Sequence, residues 1–222
     1  MSISENLGKI QSTIPEDVTL VAVSKTKSVQ DIMEAYQAGQ RIFGENKIQE
    51  MTEKWQQLPK DIQWHMIGHV QRNKVKYMAA YVSLIHGIDS LRLLKEIEKQ
   101  AVRQQRILEG LLQIHIAEED TKHGMTEDEA LALLTSEEFK AMKHVKITGL
   151  MGMATFTDRE QQIKKEFLHL KSVYDNLRSI SHENCNLSVL SMGMSGDYNI
   201  AMACGSTMVR IGSSIFGKRN YT

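Results

Sequence analysis

The sequence has 222 residues, of which 41% are hydrophobic and 24% are charged, as is typical of a globular protein with one large core. Its 27 basic residues balance its 27 acidic ones, so no overall field attracts nucleic acid or an anionic membrane. We therefore expect a single domain over residues 1–222, in which any anion site is built locally.

The cysteine content and the N-terminus predict a cytoplasmic protein. Cys185 and Cys204 are the two cysteines, and they lack the spacing of a metal site or a redox motif. No apolar run reaches the length of a membrane span, and the first residues lack a signal-peptide pattern. We expect reduced thiols, no metal and no contact with a membrane.

The first half of the chain alternates short apolar runs with amphipathic stretches. A helix is predicted over residues 4–13, and residues 18–23 have the β-branched content of a buried strand. Ser28 is placed to cap a second helix, and Asn46 to cap a third that ends near Leu58. Further strands are predicted over residues 41–44, 62–68 and 82–86.

The alternation continues to the C-terminus. Strands are predicted over residues 111–116, 145–151, 187–191 and 207–211, with helices over 91–105, 126–134, 157–177 and 195–203. Eight strands, each followed by a helical stretch, predict an α/β fold: a (β/α)8 TIM barrel with an extra N-terminal helix. An open doubly wound sheet is the alternative, but no βα turn carries GxGxxG.

A lysine follows the first predicted strand. Lys25 lies at the C-terminal end of that strand, where barrel enzymes place their reactive groups. Partial burial favours a neutral amine, and a neutral amine attacks an aldehyde to form a Schiff base. Position alone also allows a simpler interpretation, in which Lys25 and Lys27 are the first solvated residues after the strand.

Glycine- and serine-rich segments follow the seventh and eighth strands, where barrels commonly hold a phosphate. Glycines let backbone amides approach an anion, and hydroxyls add donors. Each segment alone is typical of a turn, but two of them on neighbouring strands predict a phosphate site. The residues concerned are Ser191, Gly193 and Ser195 in the first segment and Arg210 and Gly212 in the second.

The eighth and first strands are neighbours in a closed barrel, so one phosphorylated aldehyde can reach both the phosphate site and Lys25. Pyridoxal 5′-phosphate (PLP) fits this arrangement, with Arg210 facing the ring nitrogen. Arginine keeps that nitrogen unprotonated, which makes the ring a weaker electron sink than it is beside an aspartate. An ion pair between Arg210 and a carboxylate at the rim is the alternative.

Other candidates each have two interpretations. Asn46 either contacts the ring or caps a helix, and His65 either faces the cofactor or is a hydrogen-bonded core residue. His115 has the same two interpretations as His65. Met151 and Met153 are expected to pack beside the ring.

Several sequence blocks resemble the YggS/PROSC family of pyridoxal phosphate homeostasis proteins: AVSKTK, FGEN, WHMIGHVQRNK, GLMGMATF, LSMGMSGDY and GSTMVRIGSSIFGKR. They occur in order from about Thr19 to the C-terminus. That family is similar to the barrel domain of alanine racemase and of the eukaryotic ornithine decarboxylases. The resemblance implies a fold-type III PLP barrel with PLP linked to Lys25, Arg210 at the ring nitrogen, and the phosphate bound by the segments with Ser191, Gly193, Ser195 and Gly212.

The resemblance also implies a role without established turnover. Racemases with this barrel have a second domain. We expect no such domain here, because the sequence ends ten residues after Gly212. We expect a protein that buffers PLP and delivers it to apo PLP-dependent enzymes, as a monomer rather than a dimer. Lys27, Lys74 and Lys122 are candidate amines for releasing the cofactor.

Two other functions stay open from the sequence. One is a slow PLP-dependent amino-acid racemase or decarboxylase, which needs a base positioned by the protein. The other is a barrel that binds a different phosphorylated metabolite and no PLP.

Overall fold

A computed structural model of the chain describes residues 2–119 and 123–217. Its strands are β1 (Thr19–Val23), β2 (Ile42–Glu45), β3 (Gln63–Met66), β4 (Val82–Ile88), β5 (Leu108–Gln113), β6 (Val145–Met151), β7 (Cys185–Met194) and β8 (Met208–Ile211). They form a closed barrel in sequential order, and every neighbouring pair is parallel. The predicted (β/α)8 barrel is confirmed.

One helix precedes the barrel and the others follow its strands. The helices are α1 (Ile3–Gln11), α2 (Val29–Gln37), α3 (Ile48–Gln57), α4 (Val75–Met78), α5 (Leu91–Gln104), α6 (Glu127–Thr135), α7 (Glu137–Lys140), α8 (Glu160–Leu177), α9 (Tyr198–Ala203) and α10 (Ser213–Phe216). A 3-10 turn at Arg72–Lys74 leads into α4. Within the described ranges, no helix combines the length and the apolar character that a membrane span needs.

Side-chain caps determine where several helices begin. The side chains of Ser2, Ser28 and Thr126 each accept a hydrogen bond from the backbone N–H three residues later. The acidic side chain at that later position accepts a hydrogen bond from the backbone N–H of the capping residue. Such a capping box satisfies two of the amide groups that a helix N-terminus leaves unpaired. The predicted cap at Ser28 is confirmed, and Ser90 caps α5.

The predicted boundaries are wrong in two places that matter for the site. β5 ends at Gln113 because its pairing with β6 ends there, so His115 follows the strand. β7 continues to Met194, which pairs with Arg210 of β8, and α9 therefore begins at Tyr198 rather than at Ser195. Pairing with a neighbouring strand decided both ends, and local composition does not encode that pairing.

The core has two parts. The larger apolar cluster lies between the strands and the surrounding helices. A smaller cluster fills the interior of the barrel with one side chain from each of five strands, Val21, Leu84, Leu111, Met151 and Met208. Beyond this level, toward the C-terminal ends of the strands, the barrel has open space.

Candidate functional site

A cavity of about 710 Å³ lies at the C-terminal ends of the barrel strands. Its walls come from the segments after several strands, and its floor includes Ile67 and Met153, which pack on the interior cluster. The pairing of β1 with β8 brings the first and last strand ends to the same wall. The predicted site residues that line the cavity are Lys25, Asn46, Ser195, Arg210 and Gly212.

Lys25 lies in a tight turn directly after β1. The Lys27 N–H donates to the Ser24 carbonyl at 3.0 Å and closes the turn. Lys25 is half-buried on the cavity wall. Lys27 also lines the cavity, and its Nζ donates to the Phe216 carbonyl at 2.8 Å. The two lysines therefore have different surroundings, although they are two residues apart.

The segments after β7 and β8 are joined at the cavity wall. The Gly212 N–H donates to Ser195 Oγ at 3.1 Å, which leaves the hydroxyl proton of Ser195 available to another acceptor. A Cβ at Gly212 would lie 3.1 Å from the Val23 carbonyl oxygen, so the second segment packs closely on the end of β1. Hydroxyls of Ser213 and Ser214 add to the same wall.

Ser191 and Gly193 belong to β7 and do not line the cavity. Ser191 is fully buried. Gly193 has φ +97°, and a Cβ there would lie 2.6 Å from the Ala201 side chain, so a glycine is needed for α9 to pack on β7. Gly193 therefore allows the packing of α9, whereas Ser191 Oγ accepts a hydrogen bond from Arg210.

Arg210 is buried at the base of the cavity, where it donates hydrogen bonds to neutral groups. Its Nη1 donates to the Ser191 carbonyl at 2.9 Å and to Ser191 Oγ at 2.5 Å, and its Nη2 donates to the Gly152 carbonyl at 3.1 Å. Burial lowers the pKa of Arg210 to about 10, which keeps it charged at neutral pH. These hydrogen-bond partners are carbonyls and a hydroxyl. The carboxylate of Asp197, which also lines the cavity, attracts Arg210 and acts to raise its pKa.

A hydrogen-bonded column continues from Arg210 into the barrel interior. His86 Nδ1 lies 3.3 Å from Ser191 Oγ, and His86 Nε2 lies 3.1 Å from His65 Nδ1. Burial lowers the pKa of His65 to about 3 and that of His86 well below its usual value. Both imidazoles are therefore neutral at pH 7. His65 is a buried member of this column and does not line the cavity.

The structure contradicts one of the two interpretations of Asn46 and the expected position of one of the two methionines. α3 begins at Ile48 with Lys47 at its N-cap and no side-chain cap, so the helix-cap interpretation of Asn46 is wrong. Asn46 lies on the cavity wall, where its backbone packs against Gly68. Of the two methionines expected beside the ring, Met153 lines the cavity and Met151 lies in the interior cluster.

Two histidines on the wall were not identified from the sequence. The rings of His69 and His123 lie 5.1 Å apart, and His69 Nδ1 lies 3.5 Å from Asp89 Oδ2. Gln113 donates to the His123 carbonyl at 2.7 Å. The available signal was their position after predicted strands, which does not show whether a side chain turns toward the cavity.

The wall after β6 is held by a carboxylate of α8. Glu166 accepts hydrogen bonds from the Thr155 N–H at 2.6 Å and from Thr155 Oγ1 at 2.7 Å. Burial would raise the pKa of Glu166, but these hydrogen bonds lower it overall. The next residue on this wall, Phe156, is 95% exposed at the rim.

The cysteines lie away from this chemistry. Both are free and buried, and burial raises the pKa of Cys185 to about 11 and also raises that of Cys204. In the part of the chain that the structure describes, no cluster of histidine, cysteine, aspartate and glutamate has the geometry to hold a metal ion.

The family model for the alanine racemase N-terminal domain matches residues 1–220. An alanine racemase structure from Clostridium difficile has a TM-score of 0.82 with 98% of this chain and 60% of its own, and at 15% identity this likeness shows the fold alone. The barrel is thus of the alanine racemase N-terminal class.

Other relatives narrow the family. The pyridoxal phosphate homeostasis protein of Helicobacter pylori is 40% identical over 90% of this chain and 87% of its own. That of Pasteurella multocida is 37% identical over the whole of both chains. The structure of PipY from Synechococcus elongatus with PLP bound has a TM-score of 0.88 at 32% identity, covering 97% of this chain and all of PipY. The chain belongs to the pyridoxal phosphate homeostasis protein family, which confirms the resemblance.

Proposed function

We propose that this protein binds PLP reversibly as a Schiff base on Lys25, buffers it in the cytoplasm and delivers it to apo PLP-dependent enzymes. The observation that carries the proposal is the position of Lys25 in one cavity with Ser195, Gly212 and Arg210. The names of the homologous proteins and the PLP in PipY support the same cofactor here. Since residues of one chain form all these walls, the proposed unit is a monomer.

The side chains of the cavity fit the aldehyde, the phosphate and the ring of PLP. Bound PLP supplies an aldehyde carbon that a primary amine attacks with loss of water, and Lys25 has such an amine. Ser195 offers a hydroxyl proton toward a phosphate because its oxygen already accepts the Gly212 N–H. Asn46 and Met153 line the same space and are available to the ring.

Arg210 supports storage rather than turnover. Its hydrogen bonds to Ser191 and Gly152 fix the plane of the guanidinium, and it stays charged at neutral pH. A fixed cation disfavours protonation of a pyridine nitrogen beside it. A ring nitrogen held beside Arg210 would therefore stay unprotonated, and the ring would then increase the acidity of a bound amino acid at its Cα only slightly.

Release needs an amine or water to displace Lys25. Of the two candidate amines within the described residues, Lys27 lines the cavity, whereas Lys74 lies near the Tyr77 ring and does not. The third candidate, Lys122, lies outside the described residues. We include Lys27 in the proposal as the amine that assists release, since its Nζ is already at the wall.

The test combines spectra with transfer. Purified protein mixed with PLP is expected to show the absorbance of a Schiff base, and borohydride reduction followed by peptide mass spectrometry is expected to find the label on Lys25. Lys25→Ala should abolish the band. Lys27→Met, the matched control, should keep the band and slow transfer to an apo-enzyme.

Three results would contradict the proposal. A band that survives in Lys25→Ala rejects the linkage. A colourless protein that binds inorganic phosphate favours a different phosphorylated ligand. Deuterium exchange at the Cα of amino acids, faster than with free PLP, favours a slow racemase or decarboxylase over a buffering role.

A further inference from the structure

A cluster of charged side chains lies behind the Ser24–Lys27 turn. Glu45 ends β2, and Glu50 and Lys54 lie on α3. Lys54 Nζ lies 2.8 Å from Glu45 Oε1 and 2.7 Å from Glu50 Oε1, and the side chains of Glu45 and Lys54 are 0% and 7% exposed. Burying charged groups is costly even when they are paired, so a contribution to stability does not by itself explain this cluster.

The cluster bonds to both residues that flank Lys25. Lys54 Nζ donates to the Ser24 carbonyl at 2.8 Å, which fixes the residue before Lys25. Glu50 Oε1 accepts from the Thr26 N–H at 2.6 Å, which fixes the residue after it. One buried ammonium, with its carboxylate partner, therefore holds the backbone on both sides of Lys25.

The turn needs such support because of its backbone conformation. Thr26 has φ 65°, in the left-handed region that a β-branched residue rarely adopts. Strain of this kind persists only where surrounding contacts impose it. The bond from the Thr26 N–H to Glu50 is such a contact, and its loss lets the Lys25 backbone relax.

The third member of the cluster anchors it to the barrel. Glu45 Oε1 accepts hydrogen bonds from Lys54 Nζ and from Ser24 Oγ at 2.6 Å. Its other oxygen, Oε2, is buried with no hydrogen-bond partner among the described residues, and burial raises the pKa of this carboxyl. This arrangement connects the turn to β2, which is a rigid element.

We infer that Glu50 and Lys54 are positioning residues for Lys25: they hold the turn after β1 so that its amine meets the cofactor aldehyde. This inference rests on the proposed function, in which Lys25 forms the Schiff base. The two residues act through the turn, on one side through the Ser24 carbonyl and on the other through the Thr26 amide.

The experiment uses substitutions of Glu50, whose side chain is 24% exposed and therefore tolerates change better than Lys54. Glu50→Ala removes the acceptor of the Thr26 N–H and is expected to weaken PLP binding and slow Schiff-base formation by about tenfold. Glu50→Gln keeps an oxygen acceptor and should restore most of both. Glu53→Ala, an exposed glutamate on the same helix, is the matched control and should behave as the unmodified protein.

The unfolding temperature of each variant without PLP separates positioning from folding. If Glu50→Ala lowers that temperature and leaves the affinity and the rate unchanged, the cluster only stabilises the fold and the inference is wrong. If Glu50→Ala does not fold, Glu50→Asp retracts the carboxylate by one methylene and makes the same test. Absence of a Lys25-dependent band in the unmodified protein rejects the proposed function and the inference together, whereas an unaffected Glu50 variant rejects the inference alone.

Discussion

Single buried residues determine the charge of the barrel interior. Arg210 stays charged because its pKa falls only to about 10, while the neighbouring His86 and His65 are neutral because burial opposes their protonation. The column therefore has the positive Arg210 at the cavity and the two neutral imidazoles of His86 and His65 behind it. This asymmetry follows from burial and from hydrogen bonds to neutral partners.

The buried histidines predict a pH dependence of stability. The pKa of His65 is about 3 in the folded chain against an ordinary value of 6.5, so the unfolded chain binds more protons between these values. The contribution of His65 to the free energy of unfolding is complete above pH 6.5 and is lost as the pH falls toward 3. His65→Gln should flatten this dependence by up to about 1.4 kcal/mol per pH unit.

Urea unfolding measured from pH 4 to pH 7 checks this expectation. His169→Gln, on the exposed face of α8, is the matched control. An unchanged slope in His65→Gln would show that other groups dominate acid unfolding. The same measurement on His86→Gln tests the second member of the column.

At the scale of elements, the packing of α9 on β7 determines where the Ser195 segment lies. Gly193 has no side chain and lets α9 approach, and the helix in turn limits the path of the residues between them. The hydrogen bond from Gly212 then joins this segment to the end of β8. The predicted phosphate wall is therefore a product of one helix–strand contact and one loop–loop bond.

Gly193→Ala should destabilise the fold and displace this wall. The added Cβ would lie 2.6 Å from Ala201 at a backbone φ of +97°, and the expected cost is about 1–3 kcal/mol of unfolding free energy. Gly196→Ala is the matched control, since a Cβ there meets nothing within 4 Å. Denaturant unfolding of both variants checks the difference, and equal losses would contradict this account of Gly193.

At the scale of the whole molecule, closure of the barrel creates the site. β8 pairs with β1 over Thr19–Ala22, so segments far apart in sequence meet at one wall. The extra helix α1 strengthens this junction, because Asn6 Nδ2 donates to the Ile215 carbonyl of α10 at 3.1 Å. Lys27 donates to the next carbonyl, that of Phe216. Asn6 of α1 and Lys27 thus anchor α10, whose Ser213 and Ser214 line the cavity.

Leu7→Ala should loosen this junction. Leu7 is fully buried on α1, so its truncation is expected to lower the unfolding free energy by about 2–5 kcal/mol and to weaken PLP binding through α10. Leu131→Ala, at a 42% exposed leucine, is the matched control and should cost less than about 1 kcal/mol. Calorimetry and PLP titration measure the two effects, and a Leu7→Ala variant with unchanged stability would contradict the role of α1.

The sequence by itself determined the order of strands and helices, because apolar periodicity and helix caps such as Ser28 are local properties. It also identified Lys25 and the glycine- and serine-rich segments as candidates, since barrels place chemistry at the ends of strands. The family resemblance added the cofactor. None of these steps required the distance between two atoms.

Tertiary structure alone decided which of these side chains share the cavity. It placed Asn46 and Met153 on the wall and Met151 and His65 in the interior, and it extended β7 through Gly193. It also joined Glu50 and Lys54 to the turn that carries Lys25, a connection that no motif indicates. The reason is that strand register and helix packing determine which way a side chain turns, and both depend on contacts between residues far apart in the chain.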